Sequence, residues 1–122
     1  MSPRAKKTST KKKSTPKSVH HNVYVIRLDD AVLKLRRFAL ANPGHVPGKP
    51  CVYVGMTGLT PEERFANHKA GVRSCSIVKR FGEHLMPGYY VTLNPMPFDK
   101  AAEMEKRLAE ELRRNGFAVW QN

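Results

Sequence analysis

Two sets of side chains in this chain have the types and spacing to do chemistry. The first is Glu105. On a helix its neighbours three and four positions away are Ala101, Ala102, Leu108 and Ala109. With Leu112 these form an apolar face, so the carboxylate points toward the core with no local cation beside it. Glu103, near Lys100, Lys106 and Arg107, lies instead on a solvated charged face, as does Glu110, near Lys106, Arg107, Arg113 and Arg114. An unpaired buried carboxylate is costly, so Glu105 must meet a distant cation, raise its pKa or hold a metal. A structural ion pair and a metal-ligand role account for it equally well.

The second set is Arg64 and His68, four residues apart and stacked on one helical face. The helical neighbours of Arg64 are Thr60, Pro61, Asn67 and His68, none of them acidic, and its planar donor fork suits phosphate oxygens. Taken in isolation, such a pair is more often a surface arginine beside a satisfied histidine. Tyr24 and Tyr53 would occupy adjacent strands. Each stands in a β-branched run, where the ordinary role of tyrosine is aromatic core packing.

The elements that must position these groups are readable from local pattern. Val23 to Leu28 is apolar on both faces, which predicts a central strand, and Cys51 to Gly55 predicts a second beside it. Between them, Val32, Leu35, Phe38 and Ala39 predict one short amphipathic helix over 31–41. Thr60, Pro61 and Glu63 form a helix start with a capping box, and that helix should end at Gly71. A further short helix is predicted over 74–81, a third strand over 88–93 through Tyr89 and Tyr90, and a long helix from an Asp99 cap to about Asn115. Gly116 fits its C-terminal cap, and residues 117–120 predict a short closing strand. Tyr89 and Tyr90 are also weak candidates for base stacking, and His20-His21-Asn22 is a weak candidate metal motif.

Length and charge bound what these elements can be for. The 122 residues suffice for one ordinary domain. Twenty-two Lys and Arg against ten Asp and Glu give +12, and the excess is concentrated at one end. Residues 1–22 contain seven basic residues and no acid, including Lys6, Lys7, Lys11, Lys12, Lys13 and Lys17. A low-complexity arm of Lys, Ser, Thr and Pro over 1–21 is expected to be disordered and to neutralise phosphates of a nucleic acid irrespective of base sequence. A plain solubility tail is the lesser alternative. Cys51 and Cys75 have neither zinc-site nor disulfide-scaffold spacing. No apolar run is long enough for a membrane span, and no secretory leader is visible. The expected location is therefore intracellular, cytoplasmic or beside the nucleoid or in the nucleus, with no membrane partner.

Asn22-Val23-Tyr24, Tyr53-Val54-Gly55, the run Pro61-Glu62-Glu63-Arg64-Phe65-Ala66-Asn67-His68-Lys69-Ala70-Gly71, Glu105 and Asn122 together resemble the GIY-YIG nuclease superfamily over about residues 22–122. The resemblance implies an α/β fold in which a small three-stranded antiparallel sheet is flanked by helices. It implies a metal-dependent endonuclease hydrolysing phosphodiester bonds, with DNA as the expected nucleic acid, Mg2+ or Mn2+ as cofactor and no small-molecule cofactor. Tyr24 and Tyr53 fall at the motif tyrosines, Gly55 at the motif glycine and Arg64 at the catalytic arginine. His68 falls at the motif histidine, Glu105 at the metal-binding glutamate and Asn122 near the terminal asparagine. Lys69, next to His68, joins Arg64 as an expected nucleic-acid contact. Two departures stand out: Asn22 replaces the glycine of the first motif, and a 30–50 insertion lengthens the path between motifs. That insertion, with Lys34, Arg36 and Arg37, is expected to pack on the sheet edge rather than extend a binding surface. A non-catalytic nucleic-acid-binding protein that kept the fold is the main alternative, and an adaptor using the 31–41 helix is a third.

Overall fold

The structure is a computed structural model and describes residues 19–121. The expected arm contacts Lys6, Lys7, Lys11, Lys12, Lys13 and Lys17, and the expected site residue Asn122, lie outside the described residues. The chain is a mixed α/β protein. Its elements are β1 (Asn22–Leu28), a 3-10 turn (Asp30–Lys34), α1 (Arg36–Leu40), β2 (Cys51–Thr57), α2 (Pro61–Ala70) and α3 (Ser76–Phe81). There follow β3 (Gly82–Leu85), a 3-10 turn (Pro87–Tyr89), α4 (Phe98–Arg114) and β4 (Ala118–Trp120). Among the described residues no helix is long and apolar enough to cross a membrane.

The sheet has four strands, in the order β3-β1-β2-β4. The expected sheet was three-stranded and antiparallel; the one present has an antiparallel β3-β1-β2 and a fourth strand, β4, added to β2 in parallel, with Cys51 beside Ala118 and Tyr53 beside Trp120. Central position accounts for the composition of β1 and β2: Val23, Val25, Ile26, Val52 and Val54 have no exposed surface, so both faces are covered.

Four local expectations need correction. The third strand is Gly82–Leu85 rather than 88–93. Pro87 and Gly88 instead open a tight turn, after which Tyr90 is buried while Val91 is 61% exposed, so the alternation of a strand is absent. The predicted 31–41 helix is broken at Leu35, which is extended. Its two fully buried residues, Val32 and Phe38, are six apart and would lie about 120° apart on one continuous helix, so the break lets both reach the core. Asp99 is not the cap of the long helix: Pro97 occupies that position, and the Asp99 carboxylate accepts a hydrogen bond from the Lys100 N–H inside the first turn. Finally, His21 belongs to the domain and not to the arm, since its backbone exchanges hydrogen bonds with Met96 at 3.0 and 2.8 Å.

Two asparagines stand in for neighbouring strands. Asn42, buried just after α1, donates to the Val119 carbonyl at 3.0 Å and accepts from the Val119 N–H at 2.7 Å. It also donates to Phe38 O and accepts from Arg113 Nε, so all its hydrogen-bonding directions toward the protein are used. Asn94 does the same at β1, accepting from the Val23 N–H and donating to its carbonyl, both at 2.8 Å. The 30–50 segment therefore packs on the sheet, as expected, through Val32, Phe38 and Asn42, with Phe38 stacked on Trp120 at 6.1 Å between centroids.

Candidate functional site

The β1–β2 register sets the first part of the site. Tyr24 pairs with Gly55 and Ile26 with Tyr53, so Tyr24, Gly55 and Tyr53 share one face, with the two tyrosines diagonal to each other. Their ring centroids are 6.1 Å apart. Gly55 is required by this arrangement: a Cβ there would stand 2.6 Å from Tyr24 Oη and 2.7 Å from Cζ. The motif glycine thus serves to let the Tyr24 ring lie across the ladder.

His68 reaches the same face from α2. The helix is fixed at its start by the expected capping box between Thr60 and Glu63, and at its end by Gly71, whose φ of 84° suits a residue without Cβ. His68 is fully buried, edge-on to Tyr53 at 5.5 Å, with Nε2 3.0 Å from Tyr24 Oη. Its other nitrogen, Nδ1, accepts the Cys75 backbone N–H at 3.1 Å. An accepting Nδ1 carries no proton in a neutral ring, so the proton resides on Nε2 and is donated to Tyr24 Oη. Burial and the neighbouring Arg64 push the His68 pKa down to about 4, which keeps the ring neutral.

Tyr24 and Tyr53 are separated by their surroundings. Burial raises Tyr24 to about 12, against the pull of Arg64 and of the Tyr53 hydroxyl, both of which favour the phenolate. Burial raises Tyr53 further, and Tyr24 adds to that rise rather than opposing it. Tyr24 is therefore the phenol of the pair that ionises first. The carboxylate of Glu105 acts on both phenols, raising each, which brings α4 and the two tyrosine-bearing strands into one electrostatic neighbourhood. The rings themselves are 1% and 2% exposed, so the open side of the cluster is formed by the half-buried Arg64 and Glu105.

Arg64 has no acidic partner among the described residues, in keeping with its sequence neighbourhood, but it is not idle. Its guanidinium donates to Arg73 O at 2.8 Å and to Val72 O at 3.4 Å, clasping the turn after α2. The remaining edge faces Tyr24 and a surface hollow of about 550 Å³ whose wall includes Asn67 and Arg73. Glu105 has Lys106 as a weak opposing charge and, among the described residues, no hydrogen bond or ion pair; burial raises its pKa. The distant structural arginine that was one explanation for its inward aim is not present among the described residues. No group of three or more His, Cys, Asp or Glu is gathered as a metal site among those residues. A single half-buried carboxylate with free oxygens nevertheless fits a hard divalent cation, which commonly takes one or two carboxylates and completes its shell with water and substrate phosphate.

Lys69, an expected nucleic-acid contact, is tied into the fold. Its ammonium donates to Lys79 O and Gly82 O, both at 2.9 Å, and so closes the end of α3. His21 packs edge-on to Phe98 and its Nδ1 is buried without a partner, while Tyr89 packs on Phe117 and Tyr90 is buried, so neither weak candidate forms a site of its own. Sequence reasoning missed Asn67, Arg73 and the Cys75 N–H. The first two lie in an acid-free stretch from Arg64 to Gly82 that carries five Lys and Arg, which was a readable signal; a backbone donor leaves none. Comparison with family models, with curated proteins and with solved structures returned no match.

Proposed function

We propose that this chain is a metal-dependent endonuclease of the GIY-YIG kind that hydrolyses phosphodiester bonds in nucleic acid, with DNA as the expected substrate. The observation that carries the reading is the pairing of one ionisable phenol, Tyr24, with a carboxylate, Glu105, that has no hydrogen bond or ion pair among the described residues, beside an arginine with no ion pair among them.

In this reading a water oxygen attacks phosphorus and the bond to the leaving oxygen breaks. Tyr24 orients that water and, as phenolate, accepts its proton; His68 Nε2–H, Arg64 and Tyr53 all favour that ionised form. His68 is a donor and a positioning residue, because its Nδ1 is already occupied by Cys75 N–H. Arg64 opposes the charge that develops on the phosphoryl oxygens. Glu105 would hold Mg2+ or Mn2+, which supplies charge to stabilise the leaving oxygen. The near-complete cover over both phenols favours one second reading, a binding domain that kept the arrangement without cutting.

The test is cleavage of nicked, branched and single-stranded DNA by purified full chain with and without Mg2+ or Mn2+. Metal-dependent cutting that disappears in Glu105→Gln and in Arg64→Ala is the expected result. Binding without cutting on every substrate decides for the second reading.

A further inference from the structure

Arg73 is placed where the backbone would be better served by glycine: it is the only non-glycine residue with positive φ, at 47°, among the described residues. Its carbonyl is held by Arg64, yet its own guanidinium makes no hydrogen bond or ion pair to any described residue. The fold uses the Arg73 backbone and leaves the side chain over. That side chain lines the hollow beside Arg64, as does Asn67, whose side-chain amide likewise has no protein partner among the described residues. The walls are completed by Leu59 and Val72, which are 43% and 51% exposed, high for large apolar residues. The volume, about 550 Å³, lies within the roughly 300–1,000 Å³ of ligand sites.

Two guanidinium groups with no acid in the wall call for an anion, the apolar pair calls for a flat or saturated ring beside it, and an unused amide can both donate and accept. A nucleotide has all three parts in that order. We propose that this hollow is a subsite for one nucleotide of a nucleic-acid strand, next to the phosphate that Arg64 holds. Arg73 takes its outer phosphate, Leu59 and Val72 cover the sugar and base, and Asn67 meets the base edge. This rests on the nuclease reading for the neighbouring phosphate, but not for binding in the hollow itself.

The experiment is titration of the full chain carrying Glu105→Gln, which is not expected to cut, with inorganic phosphate, thymidine 3′,5′-bisphosphate and an eight-nucleotide single strand, followed by calorimetry. The expected order of affinity is oligonucleotide, then bisphosphate, then phosphate. Arg73→Gln should weaken the bisphosphate about tenfold, and Arg73→Gly, which relieves the backbone, should do the same without loss of thermal midpoint. Leu59→Ser with Val72→Ser should weaken bisphosphate and leave phosphate unchanged. A bisphosphate that binds no tighter than phosphate, or an affinity indifferent to Arg73, overturns the proposal. Bisphosphate binding tighter than the oligonucleotide overturns the strand assignment, in favour of a free nucleotide. If these results hold while wild type cuts nothing, the nuclease reading fails and the subsite stands.

Discussion

Tyr24 and Gly55 face each other directly across the β1–β2 ladder, and the phenol occupies the space a Gly55 side chain would need. Gly55→Ala should therefore cost about 1–3 kcal/mol, the range for overpacking a filled core. The cost should fall in a Tyr24→Ala background, which removes the two closest clashes and leaves the one at 2.9 Å to Tyr53 Cε2. Denaturant midpoints of the four proteins in the cycle measure it; additive losses would mean that Gly55 serves some other purpose.

His68 makes the fold acid-sensitive in a defined window. Its folded pKa is depressed from 6.5 to about 4, so the neutral ring contributes stability that is complete above 6.5 and is lost as pH falls through 4. Two and a half decades at about 1.4 kcal/mol each make this on the order of 3 kcal/mol. Chemical denaturation between pH 7 and 4 should show the decline, and His68→Phe should flatten that part of the curve even though it lowers stability at pH 7. By the same logic, cleavage should carry no His68 ionisation between pH 5 and 8.

Tyr24, Tyr53 and Tyr90 all hold their protons above the ordinary phenol value near 10, each because of burial. Stability from raised phenols is intact below pH 10 and drains away as pH rises through the folded values. Ultraviolet titration of the native chain should show Tyr24, Tyr53 and Tyr90 ionising only above pH 10, and Tyr24→Phe should remove one of the two phenols near 12, Tyr90 being the other.

Glu105 should behave as a residue the fold tolerates. Burial raises its carboxyl above 4.5, so without metal its contribution favours the protonated form and is lost as pH rises through the raised value. Glu105→Gln should leave the thermal midpoint within about 4 °C of wild type or raise it, while ending metal-dependent activity. Mn2+ should raise the midpoint of wild type and not of the variant. A loss of roughly 3–5 kcal/mol would instead identify a structural ion pair.

Asn42→Ala should leave the Val119 N–H buried without an acceptor and cost roughly 1–3 kcal/mol, with amide exchange accelerated first in β4. The Val119 carbonyl keeps Arg113 as a donor, so the damage should stop short of unfolding.

What was legible in the sequence was what local chemistry decides. The α2 capping box, Gly71, Gly116 and the two central strands depend on neighbours a few residues away, and each appears as read. β3 was hidden because its middle residues, Glu83 and His84, face solvent and have no apolar alternation, whereas Tyr89-Tyr90-Val91 imitates a strand that Pro87 and Gly88 turn aside. The parallel pairing of β4, like the work of Asn42 and Asn94, spans more than sixty residues of chain and has no local signature.

The site divides in the same way. The inward aim of Glu105 and the missing counter-ion of Arg64 followed from helical spacing. The role of Gly55 beside Tyr24 depended on a register between strands, and the choice of proton position on His68 depended on a main-chain N–H of Cys75 that any residue but proline supplies. The tie of Lys69 to the end of α3 was not legible, because the carbonyls it closes lie ten and thirteen positions downstream, beyond a turn.

The asparagine that completes β4 has one more effect. An open sheet invites other chains to add a strand along its margins, the usual first step of edge-to-edge aggregation. At the β4 margin the inviting groups of Val119 are already taken by Asn42 and Arg113, and at the opposite margin β3 is four residues long with a charged glutamate turned outward. A small protein of high positive charge is thereby guarded, by a different means on each flank, against adhering to itself.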